Sequence, residues 1–416
     1  MPGIPRDKSP DTTLALLREG YPFITNRCRQ LGSDAFVTRM MLRRVVCMRG
    51  EEAARVFYHP GRFTRNGAIP RTTFALLQDK GSVASLDGEA HRVRKRMFLS
   101  LMKPEAVREM GDALERAWRA TLPAWSRMDR VVVRDEIGGV LCRAACDWAG
   151  VPLTEAEAVE RTREFRAMIG GAGSVGPRAW RGRVLRARTE GWARAQVEAV
   201  RDGSLAVRDG SALEVIAWHR DDGGELLPVK VAAVELLNIL RPIVAVDRFI
   251  TFAALALHQH PETAREAAGD DRYLEMFTQE VRRFYPFFPV IGGRVLEPFE
   301  WRGHRFAERD WVLLDLYGTN HEKRVWGDPD RFRPERFVIW DGSAFNFIPQ
   351  GGGDFETGHR CPGEWITIEL VKRAVRMLVN GMGYVVPRQD LTVSLSDMPT
   401  GPASGFVIQR VEAVAA

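Results

Sequence analysis

Cys361 is the residue of this 416-residue chain whose surroundings say most about chemistry. It lies in the stretch 345–370, inside the run GHRCPG, where a proline and then a helical pattern follow the cysteine. Proline at the first helical position predicts that the sulfur sits at a helix N-terminus. The free amides there, together with the charges of His359 and Arg360, would stabilise a thiolate. The glycines at 351–353 would let the backbone pass close to a flat group.

A thiolate in this setting could be a catalytic nucleophile, a redox cysteine or a metal ligand. A nucleophile needs a histidine base and an orienting partner, and the sequence assigns neither. A redox cysteine would usually have a second cysteine a few residues away, and none is present. A zinc site needs three or four ligands, and no other cysteine or histidine is suitably spaced. A single axial thiolate to haem iron needs only one residue. The pattern therefore favours a haem-thiolate enzyme with Cys361 as the metal ligand.

Two further motifs stand upstream of this loop in a fixed order. Glu280 and Arg283 form a Glu-x-x-Arg pair, and Arg336 lies in the run PERF. With the cysteine loop, they resemble the cytochrome P450 family. The resemblance implies a mainly α fold, with residues 1–416 forming one helical domain that carries small peripheral β-sheets. It also implies haem b bound through Cys361, with Glu280, Arg283 and Arg336 in a structural role that supports the haem-side core.

The cysteine loop departs from the usual pattern of that family in one place. The family carries phenylalanine seven residues before the cysteine, whereas this chain carries Asp354 in a longer loop. Such a loop, together with the runs GGG and CPGEW, resembles the bacterial fatty-acid peroxygenases. The resemblance therefore implies a hydrogen-peroxide-dependent oxidoreductase acting on fatty acids.

Arg241 and Pro242 stand in the long apolar helix where most members of the family carry an acid–alcohol pair. Proline removes one amide and clashes with the carbonyl four residues back, so we expect a kink at Pro242. A buried guanidinium is costly unless a counter-charge is present. One alternative is an ion pair with Glu235 or Asp247. The peroxygenase resemblance instead implies that Arg241 binds the carboxylate of a fatty acid through two parallel hydrogen bonds.

That interpretation makes Arg241 and Pro242 the catalytic candidates. Peroxide cleavage needs a base and then an acid close to the iron, and the held carboxylate would serve as both. Hydrogen peroxide would then be the oxidant, with no dedicated reductase. Fixing the carboxylate at Arg241 places the α and β carbons nearest to the reacting oxygen, and the resemblance favours α-hydroxylation over β-hydroxylation.

The remaining substrate-binding candidates line the expected acyl channel. They are Gln78, Ala84, Phe288 and Val290, with Phe287 as a further possible liner. At the position of Ala84 the peroxygenases usually carry glutamine or histidine, and histidine accompanies decarboxylation to alkenes. Alanine can neither donate a proton nor steer an intermediate, so Ala84 favours hydroxylation.

The carboxylates of the haem require cationic or hydrogen-bonding partners. The resemblance implies Arg65, His91, Lys95 and Arg294 for this role. His91 and Lys95 are four residues apart and therefore share one helix face. For each of the four, an exposed polar residue with no ligand is the alternative.

Hydrophobic periodicity predicts the elements that must position these residues. They are a hairpin at 36–48, a short helix at 51–58, a basic helix at 88–102 capped by Asp87, a loop at 170–176, an arginine-rich helix at 178–201, a buried helix at 230–258, strands at 293–295, 299–302 and 311–316, and a last helix at 362–379. For the arginine-rich helix, a solvated outer face is favoured over a docking site.

Composition narrows the protein class. Sixty Lys and Arg against 54 Asp and Glu leave a net charge of only +6, and no nucleic-acid-binding module is recognisable. Five scattered cysteines without a preceding secretory signal indicate a reducing compartment, and Cys142 and Cys146 are expected to be buried apolar residues. No apolar run is long enough to span a bilayer, so we expect a cytoplasmic protein.

Four alternatives stay open at this point. A conventional monooxygenase fed by a redox partner would carry the acid–alcohol pair that is missing here. A fatty-acid decarboxylase would share the peroxygenase site. A non-catalytic haem-thiolate sensor would usually carry an output module. A helical scaffold with an incidental cysteine would bind no haem.

Overall fold

The computed structural model describes residues 3–78, 81–173 and 176–414. Most of these residues are helical, as the periodicity predicts. The helices are α1 (Thr13–Glu19), α2 (Phe23–Leu31), α3 (Glu51–Phe57), α4 (Arg71–Leu77), α5 (Gly88–Ser100), α6 (Pro104–Trp125), α7 (Val133–Ala149), α8 (Glu155–Gly171), α9 (Pro177–Arg201), α10 (Ala212–Ala217), α11 (Val229–Val244), α12 (Asp247–Gln259), α13 (Pro261–Gly269), α14 (Asp271–Phe284), α15 (Leu316–Asn320), α16 (Lys323–Trp326) and α17 (Glu364–Arg376).

The strands form small sheets at the periphery. They are β1 (Ala35–Met40), β2 (Arg43–Arg49), β3 (Phe63–Thr64), β4 (Val131–Val132), β5 (Val290–Val295), β6 (Phe299–Trp301), β7 (His304–Phe306), β8 (Trp311–Asp315), β9 (Met382–Val385) and β10 (Val407–Ala413). One sheet has the order β1-β2-β8-β5-β3, a second has β4-β10-β9, and β6 pairs with β7. The mainly α fold with small sheets is confirmed, and so is the hairpin, whose strands are antiparallel with Ala35 opposite Met48.

The central helices α11 and α12 provide the largest part of the apolar core. Nearly every side chain of α12 is buried, and the same core includes apolar residues of α6, α7, α14 and α17. A helix that is apolar on all sides is stable only inside a protein, which explains its central place. α17 follows the cysteine loop and packs on α6, α12 and α14, so the core fixes the position of that loop.

The long central helix differs from its prediction. The sequence predicts one helix over 230–258 with a kink at Pro242, but the chain forms two helices that divide at Ala245 and Val246. Proline removes only the hydrogen bond to the carbonyl of residue 238, and the turn after it still closes, since the amide of Ala245 donates to the Arg241 carbonyl at 3.0 Å. The division therefore comes three residues after the proline.

The cap of one helix and the start of another also differ from their predictions. Asp87 precedes α5, but its carboxylate accepts a hydrogen bond from the Thr64 hydroxyl at 2.6 Å and does not cap the helix. The last helix begins at Glu364, two residues later than expected, because Pro362 and Gly363 form a turn. The loop predicted at 170–176 is shorter, since α8 continues to Gly171, and its residues 174 and 175 lie outside the described residues.

Glu280, Arg283 and Arg336 form a fully buried ionic cluster. Both carboxylate oxygens of Glu280 accept from Arg283, at 2.7 and 2.8 Å, and Nε of Arg336 donates to Oε1 at 3.1 Å. The backbone amide of Arg333 donates to the same oxygen at 2.8 Å. Because every charge has a partner, the cluster can remain buried, and it ties α14 to the segment before the cysteine loop.

Cys28, Cys47, Cys142 and Cys146 are buried thiols, and none of the five cysteines forms a disulfide. Cys142 and Cys146 face the core from α7, as expected. Among the described helices, none is both long enough and apolar enough to cross a membrane.

Candidate active site

The Cys361 sulfur lies between the turn that precedes α17 and the side chain of Gln350. Nε2 of Gln350 is 3.8 Å from Sγ, and the amide of Gly363 also points to the sulfur. Gln350 is held in turn by Thr367, whose hydroxyl accepts from the same Nε2 at 3.0 Å, and by Arg282, which donates to Oε1 at 3.1 Å. Sequence reasoning missed Gln350, because no local pattern shows which side chain reaches the sulfur.

The charges around the sulfur differ from those expected. Burial raises the pKa of the Cys361 thiol and Glu364 raises it further, whereas the Gly363 amide, Lys95 and Arg282 lower it. Arg360 donates to Glu364 at 2.7 Å, so its charge is compensated. Burial and the neighbouring cations lower the pKa of His359 to about 2, so this histidine is neutral. The protein alone therefore does not stabilise a thiolate, and a cation bound to the sulfur would supply the missing charge.

The glycine run next to the cysteine packs against the protein itself. A Cβ on Gly352 would lie 2.5 Å from the Ala344 carbonyl oxygen, and one on Gly353 would lie 2.7 Å from Cβ of Tyr58. Gly353 also has a positive φ of 78°. The flat group that the glycines approach thus includes the ring of Tyr58. The Asp354 carboxylate accepts from the amide of Thr357 at 2.6 Å, which organises the long loop as a turn.

Three of the four expected haem-carboxylate partners converge on this loop. The His91 and His359 rings lie 4.0 Å apart between centroids. Nζ of Lys95 donates to the carbonyls of Gly358, at 3.1 Å, and Arg360. Arg65 lies over the rings of Phe57 and Tyr58 and lowers the pKa of both histidines.

These three basic side chains are desolvated, and protein carboxylates compensate them only at a distance, with Asp354 and Glu364 acting on Lys95 and Asp87 acting on Arg65. Burial and the adjacent cations Lys95, Arg92 and Arg65 lower the pKa of His91 to about 4, and burial lowers that of Lys95 to about 8. Burial also lowers the pKa of Arg65. Within the described ranges, none of the three makes a salt bridge with a carboxylate. The site therefore suits an anionic ligand.

Arg294, the fourth expected partner, is engaged elsewhere. Its Nε donates to the Gly67 carbonyl at 3.0 Å and its Nη1 donates to the Arg309 carbonyl at 3.3 Å. Its guanidinium also lies 5.2 Å from the centre of the Trp311 ring. No contact among the described residues joins Arg294 to the cysteine loop, so its predicted role has no support in this arrangement.

Arg241 lies on α11 with 4 % of its surface exposed. Its Nη2 donates to Oδ1 of Asn238 at 3.1 Å, and its Nη1 is buried without a hydrogen-bond partner among the described residues. Burial, reinforced by the nearby Arg186, lowers the pKa of Arg241 to about 9. This is a desolvated cation with one donor unused, the state in which a carboxylate would bind most strongly.

Neither predicted protein partner pairs with Arg241. Glu235 accepts from Nη1 of Arg94 at 2.5 Å. Asp247 begins α12, beyond the division of the central helix, and the cations that act on its carboxylate are Arg248, Arg166 and Arg134. The ion-pair alternative for Arg241 is therefore wrong for both carboxylates.

The other substrate-binding candidates occupy different surroundings. Ala84 lies in a single 3₁₀ turn, Val83–Ser85. Gln78 directly follows α4, and its Oε1 lies 3.4 Å from the Ser82 hydroxyl. Phe287 is buried and stacks on Phe249 at 4.3 Å, whereas Phe288 is 42 % exposed. Val290 begins β5, opposite Asp315, and packs in the cluster of α2 and the hairpin. Val290 thus has a structural role in the sheet, and Phe288 is free to meet a ligand.

Comparison with known proteins decides the family. The cytochrome P450 family model matches residues 257–373, which include the buried cluster and the cysteine loop. The solved structure of cytochrome P450SP alpha (CYP152B1) in complex with (R)-ibuprophen is 48 % identical, with 97 % of this chain and 99 % of that chain covered and a TM-score of 0.95. This chain belongs to the cytochrome P450 family.

Two further structures place it among the same P450 enzymes. Cytochrome P450EX alpha (CYP152N1) with myristic acid is 42 % identical, and a variant of cytochrome P450 OleT with arachidonic acid is 33 % identical. Both are covered completely, with TM-scores of 0.96 and 0.97. The resemblance to the fatty-acid peroxygenase branch is thereby confirmed. The chain spans only 21 % of the flavonoid-6-hydroxylase of Mentha piperita, which it matches at 31 % identity over 115 residues.

Membership of the P450 family implies a haem cofactor, and the residues described above fit one. A buried thiol with an amide donor is available for the iron, and basic groups that form no salt bridge among the described residues are available for the haem carboxylates. Bound haem would supply the redox chemistry of the site. The protein supplies the ligand, the charge balance and the binding of the substrate.

Proposed function

We propose that this P450 hydroxylates fatty acids at the α carbon, with hydrogen peroxide as oxidant and without a dedicated reductase. We also propose that the cofactor is haem b and that Cys361 is its axial ligand. The observation that carries this proposal is Arg241, a buried cation with no carboxylate partner among the described residues and one unused donor. The cytoplasmic location stays a prediction.

The substrate class is supported by the chemistry of Arg241. A planar guanidinium binds a carboxylate through parallel hydrogen bonds, and burial makes such a pair strong because water does not compete. Burial lowers the pKa of Arg241, so an anionic partner is favoured there over a neutral one. The relatives that hold myristic and arachidonic acid support a long acyl chain behind the carboxylate.

The oxidant is supported by what the central helix lacks. Arg241 and Pro242 occupy the segment in which an acid–alcohol pair would deliver protons, and neither side chain can donate and accept a proton at neutral pH. Glu235, the nearby carboxylate, is committed to Arg94. A substrate carboxylate held by Arg241 would be the group that accepts and returns the proton, and Arg241 would hold it in place.

The experiment supplies purified holoenzyme with myristic acid and either hydrogen peroxide alone or a ferredoxin, its reductase and NADPH. Products are identified by mass spectrometry, with catalase added to the second reaction to remove stray peroxide. We expect α-hydroxymyristic acid with peroxide alone. Turnover only in the catalase-treated redox reaction would overturn the proposal in favour of a conventional monooxygenase.

A further inference from the structure

Glu235 is a buried carboxylate that connects two walls of the candidate site. Its Oε1 accepts from Nη1 of Arg94 at 2.5 Å and from the backbone amide of Val83 at 2.8 Å, and its Oε2 accepts from Nδ2 of Asn238 at 2.8 Å. Val83 opens the 3₁₀ turn that contains Ala84. One fully buried side chain thus holds both the Ala84 turn and the residue that contacts Arg241.

The Asn238 amide can point in only one direction in this arrangement. A carboxylate accepts and cannot donate, so the NH₂ group must face Glu235. A guanidinium donates and cannot accept, so the carbonyl oxygen must face Arg241, and the distance from Nη2 to Oδ1 is 3.1 Å. Because Glu235 fixes the Asn238 amide, the amide in turn fixes the orientation of the Arg241 guanidinium.

Of the two arginines in this chain of contacts, Arg94 has a carboxylate partner, whereas Arg241 contacts a neutral amide. Arg94 neutralises Glu235, so the pair carries no net charge. Asn238 is neutral, so it orients Arg241 without compensating its charge. A carboxylate at position 238 would neutralise the guanidinium and compete with an anionic ligand for it, and it would also lose the donor that Oε2 of Glu235 accepts from.

We propose that Glu235 and Asn238 are positioning residues for Arg241, and that the neutrality of Asn238 reserves the charge of Arg241 for the carboxylate of a fatty acid. This inference rests on the proposed function, because it assumes that Arg241 binds that carboxylate. Arg94 completes the network, since its Nη1 also lies 3.5 Å from the Gly81 carbonyl and so fixes the start of the Ala84 segment.

The test measures the Kd of myristic acid for the holoenzyme by calorimetry, which requires no turnover. At pH about 8, Asn238→Asp should weaken binding by about 100-fold or more, because the new carboxylate neutralises Arg241. Asn238→Ala should weaken binding by only about tenfold at the same pH, because orientation is lost and no charge is added.

Each affinity is compared with wild type at the same pH, so that other titrations cancel. The charged groups that surround Asn238 are Glu235 and Arg241 on α11, Arg94 on α5 and Arg186 on α9, and His219 adjoins Arg94. Asn380→Asp, at an exposed asparagine beyond α17, is the matched control and should bind as wild type does.

Two outcomes overturn the inference. One is an Asn238→Asp affinity equal to that of wild type at pH about 8, and the other is a loss no larger than that of Asn238→Ala. If Asn238→Asp does not fold as holoenzyme, wild-type affinity in Asn238→Ala overturns it instead. Failure of the proposed function would give other results. Wild-type protein would not bind myristic acid, or Arg241→Ala would bind it as tightly as wild type.

Discussion

Arg94 and Glu235 form a buried ion pair in which Nη1 lies 2.5 Å from Oε1. Because this pair is complete, the carboxylate that precedes Arg241 on α11 is not available to it. Arg241 is left as a cation oriented by the neutral amide of Asn238. Of these two buried arginines, Arg94 is neutralised and Arg241 is not, so Arg241 is the one that can bind a substrate carboxylate.

Replacing Ala84 by histidine should change the product. Ala84 lies in the 3₁₀ turn that Glu235 fixes through the amide of Val83. A histidine in that turn would bring a proton donor and acceptor to the substrate carbons, so the ratio of terminal alkene to hydroxy acid should rise about tenfold or more. Gas chromatography of peroxide reactions measures this ratio. Ala156→His, at an exposed position on α8, is the control, and an unchanged ratio in Ala84→His would mean that the turn does not adjoin the substrate.

Replacing Cys361 by alanine should remove the iron ligand. The reduced protein with carbon monoxide should then lose the absorption band typical of thiolate ligation, while haem bound through its carboxylates is partly retained. Cys142→Ala, at a thiol in the core, should leave the band unchanged. A thiolate band that persists in Cys361→Ala would refute the assignment of the ligand.

Replacing Glu280 by glutamine should destabilise the protein strongly. The change leaves Arg283 and Arg336 buried without a counter-charge, which costs roughly 3–5 kcal/mol. Glu275→Gln, on the same helix but in a half-exposed pair with Lys372, should cost less than about 1 kcal/mol. Urea denaturation followed by circular dichroism measures both at equal haem content. Similar costs for the two variants would show that the buried cluster is not a stability element.

Replacing Asp247 by asparagine should stabilise the protein at neutral pH. Burial raises the pKa of Asp247 to about 6, with Arg248, Arg166 and Arg134 opposing the shift. The folded state therefore holds the proton more tightly than the unfolded state, and the associated stability is lost as the pH rises from about 4 to about 6. At pH about 7.5 the gain from the asparagine should reach roughly 2–3 kcal/mol, and it should vanish near pH about 4.

Thermal melting of wild type and Asp247→Asn across that pH range checks this expectation. Asp129→Asn, at an exposed carboxylate, is the control and should shift the melting temperature little at any pH. A difference between Asp247→Asn and wild type that does not grow with pH would argue against a buried, protonated carboxyl group at the start of α12.

The parts of the fold that follow local rules could be predicted from the sequence. The hairpin and the arginine-rich helix depend on local periodicity, and the structure contains both at the predicted places. The missing cap at α5 and the later start of α17 could not be predicted, because Asp87 accepts from Thr64 and Pro362 enters a turn. Both outcomes depend on contacts that sequence spacing does not show.

Some of the residues that lie together in the candidate site could also be predicted from the sequence. Cys361, Arg65, His91 and Lys95 come together, whereas Arg294 is engaged by Gly67 and Arg309. The partner of Glu235 could not be foreseen, since Arg94 is 141 residues away along the chain. The neutral state of His359 also depends on burial, which only the folded chain provides.

The central claim is that Arg241 binds the carboxylate that the reaction requires. The most direct test compares myristic acid with its methyl ester in peroxide-driven reactions of wild type and Arg241→Ala. We predict that wild type hydroxylates the acid at least about 100-fold faster than the ester, and that Arg241→Ala loses this preference while it still binds haem. An equal rate on acid and ester in wild type, or a preserved preference in Arg241→Ala, would contradict the account.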